Sequence, residues 1–124
     1  MIIDYYYYVA KPFSKPYIVT VAREKQENGE IWVGVAYQGK KDGYNKEEGY
    51  EIAINRMNRN PKVLNLREHY NLNSAIVDGM PMHIKRCVRI FDKEQYNKYY
   101  QKAKKVESKM WDVLVGKEKD FVWN

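Results

Sequence analysis

The chain has a single cysteine, Cys87, so no intrachain disulfide can form and a reducing compartment fits. Histidine is almost as scarce: only His69 and His83. Four residues apart, His83 and Cys87 would share a strand face as half of a zinc site. Structural zinc needs four ligands and catalytic zinc three, so metal and cofactor binding are not expected. No Gly-x-Ser-x-Gly elbow is present to raise a nucleophile. Gly39-Lys40-Lys41-Asp42-Gly43 lacks the spacing of a phosphate loop. Glu47, Glu48 and Glu51 sit at a helix start, where the helix dipole accounts for acids without catalysis. These absences point away from an enzyme. No apolar run nears the ~20 residues that a membrane-spanning helix needs. Met1-Ile2-Ile3-Asp4-Tyr5 shows no basic leader, so a soluble cytoplasmic protein without membrane contact is expected.

What the chain has in plenty is tyrosine and lysine, twelve and sixteen in 124 residues, with a net charge of +6. Between Met80 and Lys105 stand eight Lys and Arg against Asp92 and Glu94, so that one stretch holds the whole excess. Clustered cations indicate an anionic partner, and aromatic faces add a surface for stacking bases. The length suits one α+β domain over 1–124.

The local patterns give a mainly antiparallel sheet with two main helices. Ile2 to Ala10, rich in aromatic and β-branched residues, reads as a strand buried on both faces. Tyr17 to Arg23 is a second strand, Asn28-Gly29 a tight hairpin turn, and Ile31 to Tyr37 a third strand, completing a three-strand meander. Asn45 and Glu48 form a capping box for a helix over about 45–58, with Tyr50, Ala53, Ile54 and Met57 on its core face. Ile52, Arg56 and Arg59 fall on the other side, an apolar residue among arginines that implies a ligand or a second protomer. Segment 62–81 is hard to read: Val63-Leu64-Asn65-Leu66 fits either a short strand or a helical turn, and Asp78-Gly79 marks a turn. Met82 to Phe91 alternates and reads as a half-buried strand, with His83, Lys85, Cys87, Arg89 and Phe91 facing out and Arg86 breaking the apolar side. Asp92 then caps a helix over about 93–115. Its apolar stripe is Tyr96, Tyr99, Ala103, Val106, Met110 and Val113, with Gly116 as the stop. Lys98, Lys102, Lys105 and Lys109 form a cationic rail beside that stripe, and the apolar tail Phe121-Val122-Trp123 is expected to dock on a protomer.

The run Gly34-Val35-Ala36-Tyr37 followed by Asp42-Gly43-Tyr44-Asn45-Lys46-Glu47-Glu48-Gly49-Tyr50-Glu51-Ile52-Ala53-Ile54-Asn55-Arg56 resembles the strand, loop and helix of the first described family of phage Thoeris anti-defence proteins. The Tyr-rich start and the lysine-rich aromatic last helix are also similar to that family. The resemblance implies a non-catalytic sponge, acting in the host cytoplasm, for the cyclic ADP-ribose isomer made by a bacterial TIR-domain sensor. It further implies a homo-oligomer, dimer or higher, with pockets where protomers meet, and in some members separate sites for the cyclic oligonucleotides of the CBASS system. Arg56 alone is carried over as a site residue. From the residue pattern itself, Arg89, Lys105 and Lys109 are expected to meet phosphate and Phe91 and Tyr96 to stack, with Arg59, Lys85 and Arg86 in support. Two other functions fit the composition: a basic protein that binds single-stranded nucleic acid, and a protein–protein inhibitor of a host enzyme.

Overall fold

The computed structural model describes residues 1–12, 14–65 and 71–114, with side chains in the last helix described through Lys105. The elements run β1 (Ile2–Val9), β2 (Tyr17–Lys25), β3 (Ile31–Tyr37), α1 (Lys46–Arg59), β4 (Lys62–Leu64), α2 (Leu72–Val77), α3 (Met82–Lys85), β5 (Arg89–Asp92) and α4 (Lys93–Leu114). They fall into two compact units, one of Met1–Lys93 and one that begins at Glu94. The first unit is an antiparallel sheet in the order β4-β3-β2-β1-β5. The expected α+β class with a mainly antiparallel sheet and two long helices is what the chain forms.

The β2–β3 hairpin turns where the Asn-Gly pair placed it. Gly29 takes φ 87°, a conformation that a Cβ would strain, and the Asn28 Oδ1 accepts the Glu30 N–H at 3.0 Å. Alternation then sorts the strands onto two faces. One face presents Tyr8, Val19, Val21, Val33 and Val35, and is covered by Ala75 and Ile76 of α2, Ile84 of α3 and Met80 between them. The other presents Ala22 and Ala36 and is covered by Ala53 and Met57 of α1. Small residues let α1 come close. A Cβ on Gly34 would lie 2.0 Å from the Ala53 carbonyl oxygen, so the helix backbone rests directly on the strand.

α1 begins as its capping box requires: the Asn45 side chain accepts the Glu48 N–H at 3.1 Å, and Glu47 and Glu48 occupy the first turn. The Asn60 N–H closes its end on the Arg56 carbonyl at 2.9 Å. With Ala53 seated on Gly34, the 100° step per residue sets Ile52 and Ile54 on either flank. Both are half-buried against the Ala22–Met57 cluster. Ile52 therefore does not stand on an outward face, while Tyr50, expected in the core, is exposed.

Two further expectations are corrected. Only Tyr8 and Val9 of β1 are buried, not the whole strand, because α1 packs over β2 and β3. Met82 to Phe91 is not one strand. Pro81 starts the short α3, its carbonyl accepting from the Ile84 and Lys85 N–H groups at 3.1 Å, and only Arg89–Asp92 pair with β1. Of the apolar side read from that alternation, Ile84 is buried whereas Met82, Val88 and Ile90 are exposed. In segment 62–81, β4 pairs with β3, and Gly79 takes φ 79° in the expected turn.

In α4, Lys98 bridges Glu94 one turn back at 3.5 Å, and the Tyr96 ring lies 6.3 and 6.2 Å from those of Tyr99 and Tyr100. Tyr96, Tyr99 and Ala103 are half-buried, and Lys98, Lys102 and Lys105 are exposed. The side chains of Val106, Lys109, Met110 and Val113, the stop at Gly116, the Phe121-Val122-Trp123 tail and His69 lie outside the described residues.

Candidate functional site

β4 pairs with only the first three residues of β3, Ile31 to Val33. Beyond them the outer edge of β3 borders a cleft of about 470 Å³ whose walls include Val35, Tyr37, Arg56, Asn60, Lys62 and Asp78. α1 supplies Arg56 from its last turn, where a cation complements the helix C-terminus. Its Nη1 donates to the Val35 carbonyl at 2.7 Å. That contact fixes the guanidinium against the strand edge and uses one of its five N–H donors. Among the described residues no other acceptor meets Arg56.

The opposite wall is held by carbonyls. Lys62 Nζ donates to the Ala75 carbonyl at 2.9 Å and to the Asp78 carbonyl, and lies 3.7 Å from the Asp78 carboxylate. The Tyr37 hydroxyl donates to the Ile76 carbonyl and to that of Asp78 at 3.1 Å. Both side chains thus tie the end of α2 to the sheet, satisfying carbonyls that the helix leaves open. Arg56 also borders a shallower recess of about 270 Å³ on the outer flank of α1, shared with Ile52, Asn55 and Arg59. An anion entering the cleft meets the Arg56 guanidinium, while the Lys62 ammonium on the far wall is engaged by two carbonyls beside the Asp78 carboxylate, and Ile52 borders the shallower recess rather than the cleft.

A third recess, of about 150 Å³, lies where α1 begins and includes Thr20, Gln38, Asp42, Tyr44 and Glu48. Its two carboxylates disfavour an anion. The Tyr44 hydroxyl bonds Thr20 there, and burial pushes the phenol above its ordinary pKa against that bond. Beside it Lys46 lies 5.5 Å from the Tyr5 ring centre. Burial also raises the phenols of Tyr5, Tyr6 and Tyr7, and pushes Tyr8 up to about 12.

The residues picked from sequence separate into groups. Arg56 and Arg59 share the α1 flank. Lys85 and Arg86 are exposed at the end of α3. Arg89 and Phe91 stand on β5, opposite Val9 and Tyr7 of β1. Two strands separate β5 from β3, or about 14 Å at the usual spacing. Within the first unit Arg56 therefore does not meet Arg89 and Phe91. Tyr96 and Lys105 belong to the second unit, and the Lys109 side chain lies outside the described residues. Lys62 was missed; its place directly after the helix-ending Pro61 was the available signal.

His83 and Cys87 do not share a strand face. The His83 Nε2 lies 2.8 Å from the Gln38 carbonyl, with the ring edge-on to Tyr17 at 4.9 Å. Burial raises the Cys87 thiol, and its Sγ contacts the His83 carbonyl at 3.6 Å. Among the described residues no three His, Cys, Asp or Glu side chains gather as a metal site, and no helix is long and apolar enough to cross a membrane. No protein-family model, curated protein or solved structure matches the chain.

Proposed function

We propose that this chain captures a small anionic nucleotide, of the cyclic ADP-ribose class made by TIR-domain sensors, and holds it without cleaving it. Sequestration of that signal would keep a Thoeris effector silent in the host cytoplasm. The reading joins the sequence resemblance to one observation: Arg56, the only site residue inside the resembling run, borders the cleft that also receives Lys62. Its volume, about 470 Å³, falls in the range of about 300–1,000 Å³ typical of small-ligand sites. A phosphate bound there takes charge-assisted hydrogen bonds from the guanidinium, each worth about 1.5–3 kcal/mol. The separate, shallower recess that Arg56 also borders, beside Ile52, offers an apolar surface for a base or ribose.

Calorimetric titration with the cyclic ADP-ribose isomer tests the assignment. Arg56→Ala is expected to weaken capture about tenfold or more, a loss of about 1.4 kcal/mol, while Arg89→Ala on the distant edge leaves it within about twofold. Equal affinity in Arg56→Ala and the parent chain removes the cleft from the site. Salt separates this reading from nucleic-acid binding. Polyanion binding falls steeply as salt rises through counterion release, whereas a pocket with two phosphates responds weakly.

A further inference from the structure

The two most exposed large apolar side chains among the described residues stand close together in the chain. Val88 is 71% exposed and Met82 60%, and Ile90, two residues on, is 58% exposed. They share their stretch with cations. Residues 79–91 carry Lys85, Arg86 and Arg89, the connection 10–16 carries Lys11 and Lys15, and neither segment holds an Asp or Glu. Asp78 and Asp92 bound the longer one.

The fold brings both segments to one end of the sheet. The Val88 N–H donates to the Val9 carbonyl at 3.0 Å, just before the connection begins. The Tyr17 ring, just after it ends, lies edge-on to His83 at 4.9 Å. α3 is a single turn with a distinct inner and outer side. At 100° per residue, Met82, Lys85 and Arg86 fall within an arc of about 100°, and Ile84 points the opposite way. Ile84 is buried in the core, so the other three face solvent, and all are exposed. Ile90 pairs with Tyr8 and therefore lies on the sheet face that α3 covers. Lys11 and Lys15 are exposed on the connection.

A basic face kept only for solubility has no use for aliphatic side chains in its midst. Single-stranded nucleic acid calls for aromatic rings at such positions rather than valine and methionine. Cations around exposed aliphatic groups match a different surface: negatively charged lipid headgroups above a hydrocarbon boundary. Among the described residues no helix can cross a bilayer, but lying on one requires only such a patch. The expectation of no membrane contact came from the lack of a spanning segment, which does not bear on contact at the surface.

We propose that α3, the start of β5 and the 10–16 connection dock on an anionic bilayer surface. Met82, Val88 and Ile90 enter the headgroup boundary, while Lys11, Lys15, Lys85 and Arg86 meet lipid phosphates. The patch lies toward the sheet edge opposite the Arg56 cleft and needs no nucleotide. Cosedimentation with vesicles tests it in plain buffer. The parent chain is expected to pellet with vesicles of about one-third phosphatidylglycerol and to stay in solution with pure phosphatidylcholine. Met82→Ser/Val88→Ser keeps every charge and is expected to weaken binding about fivefold or more, with melting unchanged because both side chains are exposed. Lys85→Glu is expected to weaken it about fivefold or more, the factor that one cation near such a surface contributes. Lys25→Glu, the same charge change at the far hairpin, stays within about twofold. No binding to anionic vesicles, equal binding to both vesicle types, or equal losses from Lys85→Glu and Lys25→Glu overturns the proposal. So does a serine pair that binds like the parent chain; if that pair also binds a single-stranded oligothymidylate tightly, the patch belongs to nucleic acid.

Discussion

The two faces of the central sheet are packed by opposite rules. Beneath α1 the sheet offers Gly34, Ala22 and Ala36, and the helix answers with Ala53 and Met57, so backbone approaches backbone. Beneath α2 and α3 it offers four valines and Tyr8, and the short helices answer with Ile76 and Ile84. One face tolerates no added atoms; the other tolerates no missing ones. A 14-residue helix with both ends capped can lie close against a smooth strand surface, whereas helices of six and four residues need bulky side chains to fill the space above the sheet.

Substitutions that add or remove atoms break this contrast most directly. Gly34→Val is expected to cost about 3 kcal/mol or more, because its Cβ has no room beside the Ala53 carbonyl and the Met57 backbone nitrogen. Urea denaturation within about 1 kcal/mol of the parent chain would show that α1 is not seated on that strand. On the opposite face, Ile84→Ala removes a buried side chain and is expected to cost about 2–4 kcal/mol. Overpacking should hurt the first face and cavities the second. A smaller loss is expected from Tyr37→Phe, about 1–2 kcal/mol, since the hydroxyl ties the end of α2 to the sheet.

Alkaline pH tests the valine face in another way. Burial is the main reason the Tyr8 phenol is pushed from 10 to about 12, with Tyr6 and Cys87 adding to it. Its folded pKa exceeds its unfolded one, so the stabilisation is full below about pH 10 and is lost as pH rises toward about 12. Thermal melts of the parent chain are expected to fall across that window, and those of Tyr8→Phe to fall less. Equal slopes would place the alkaline transition elsewhere.

Much of the fold was legible because local chemistry and tertiary packing agree. Asn28-Gly29 and Asn45 with Glu48 are self-contained devices whose hydrogen bonds close within four residues, so their meaning survives any context. Met82 to Phe91 misled because alternation is not unique to strands. Pro81 starts a helical turn there, and Val88 and Ile90 stay exposed although they fit the apolar pattern. Tyr5 to Tyr8 look like one buried run, yet burial depends on what covers each face, which no local pattern records. At the candidate site Arg56 was legible from its helical spacing. Lys62 was not, because its acceptors are carbonyls of residues 75 and 78, supplied by a segment without periodicity.

The capture of an anionic nucleotide beside Arg56 is tested most directly by mass spectrometry of small molecules. The protein is exposed to TIR-generated signal, freed of unbound material and heated. The parent chain should release the intact cyclic ADP-ribose isomer, and Arg56→Ala about a tenth as much or less at a ligand concentration below the affinity of either. Release of cleaved fragments, of nothing, or of equal amounts from both proteins would contradict it.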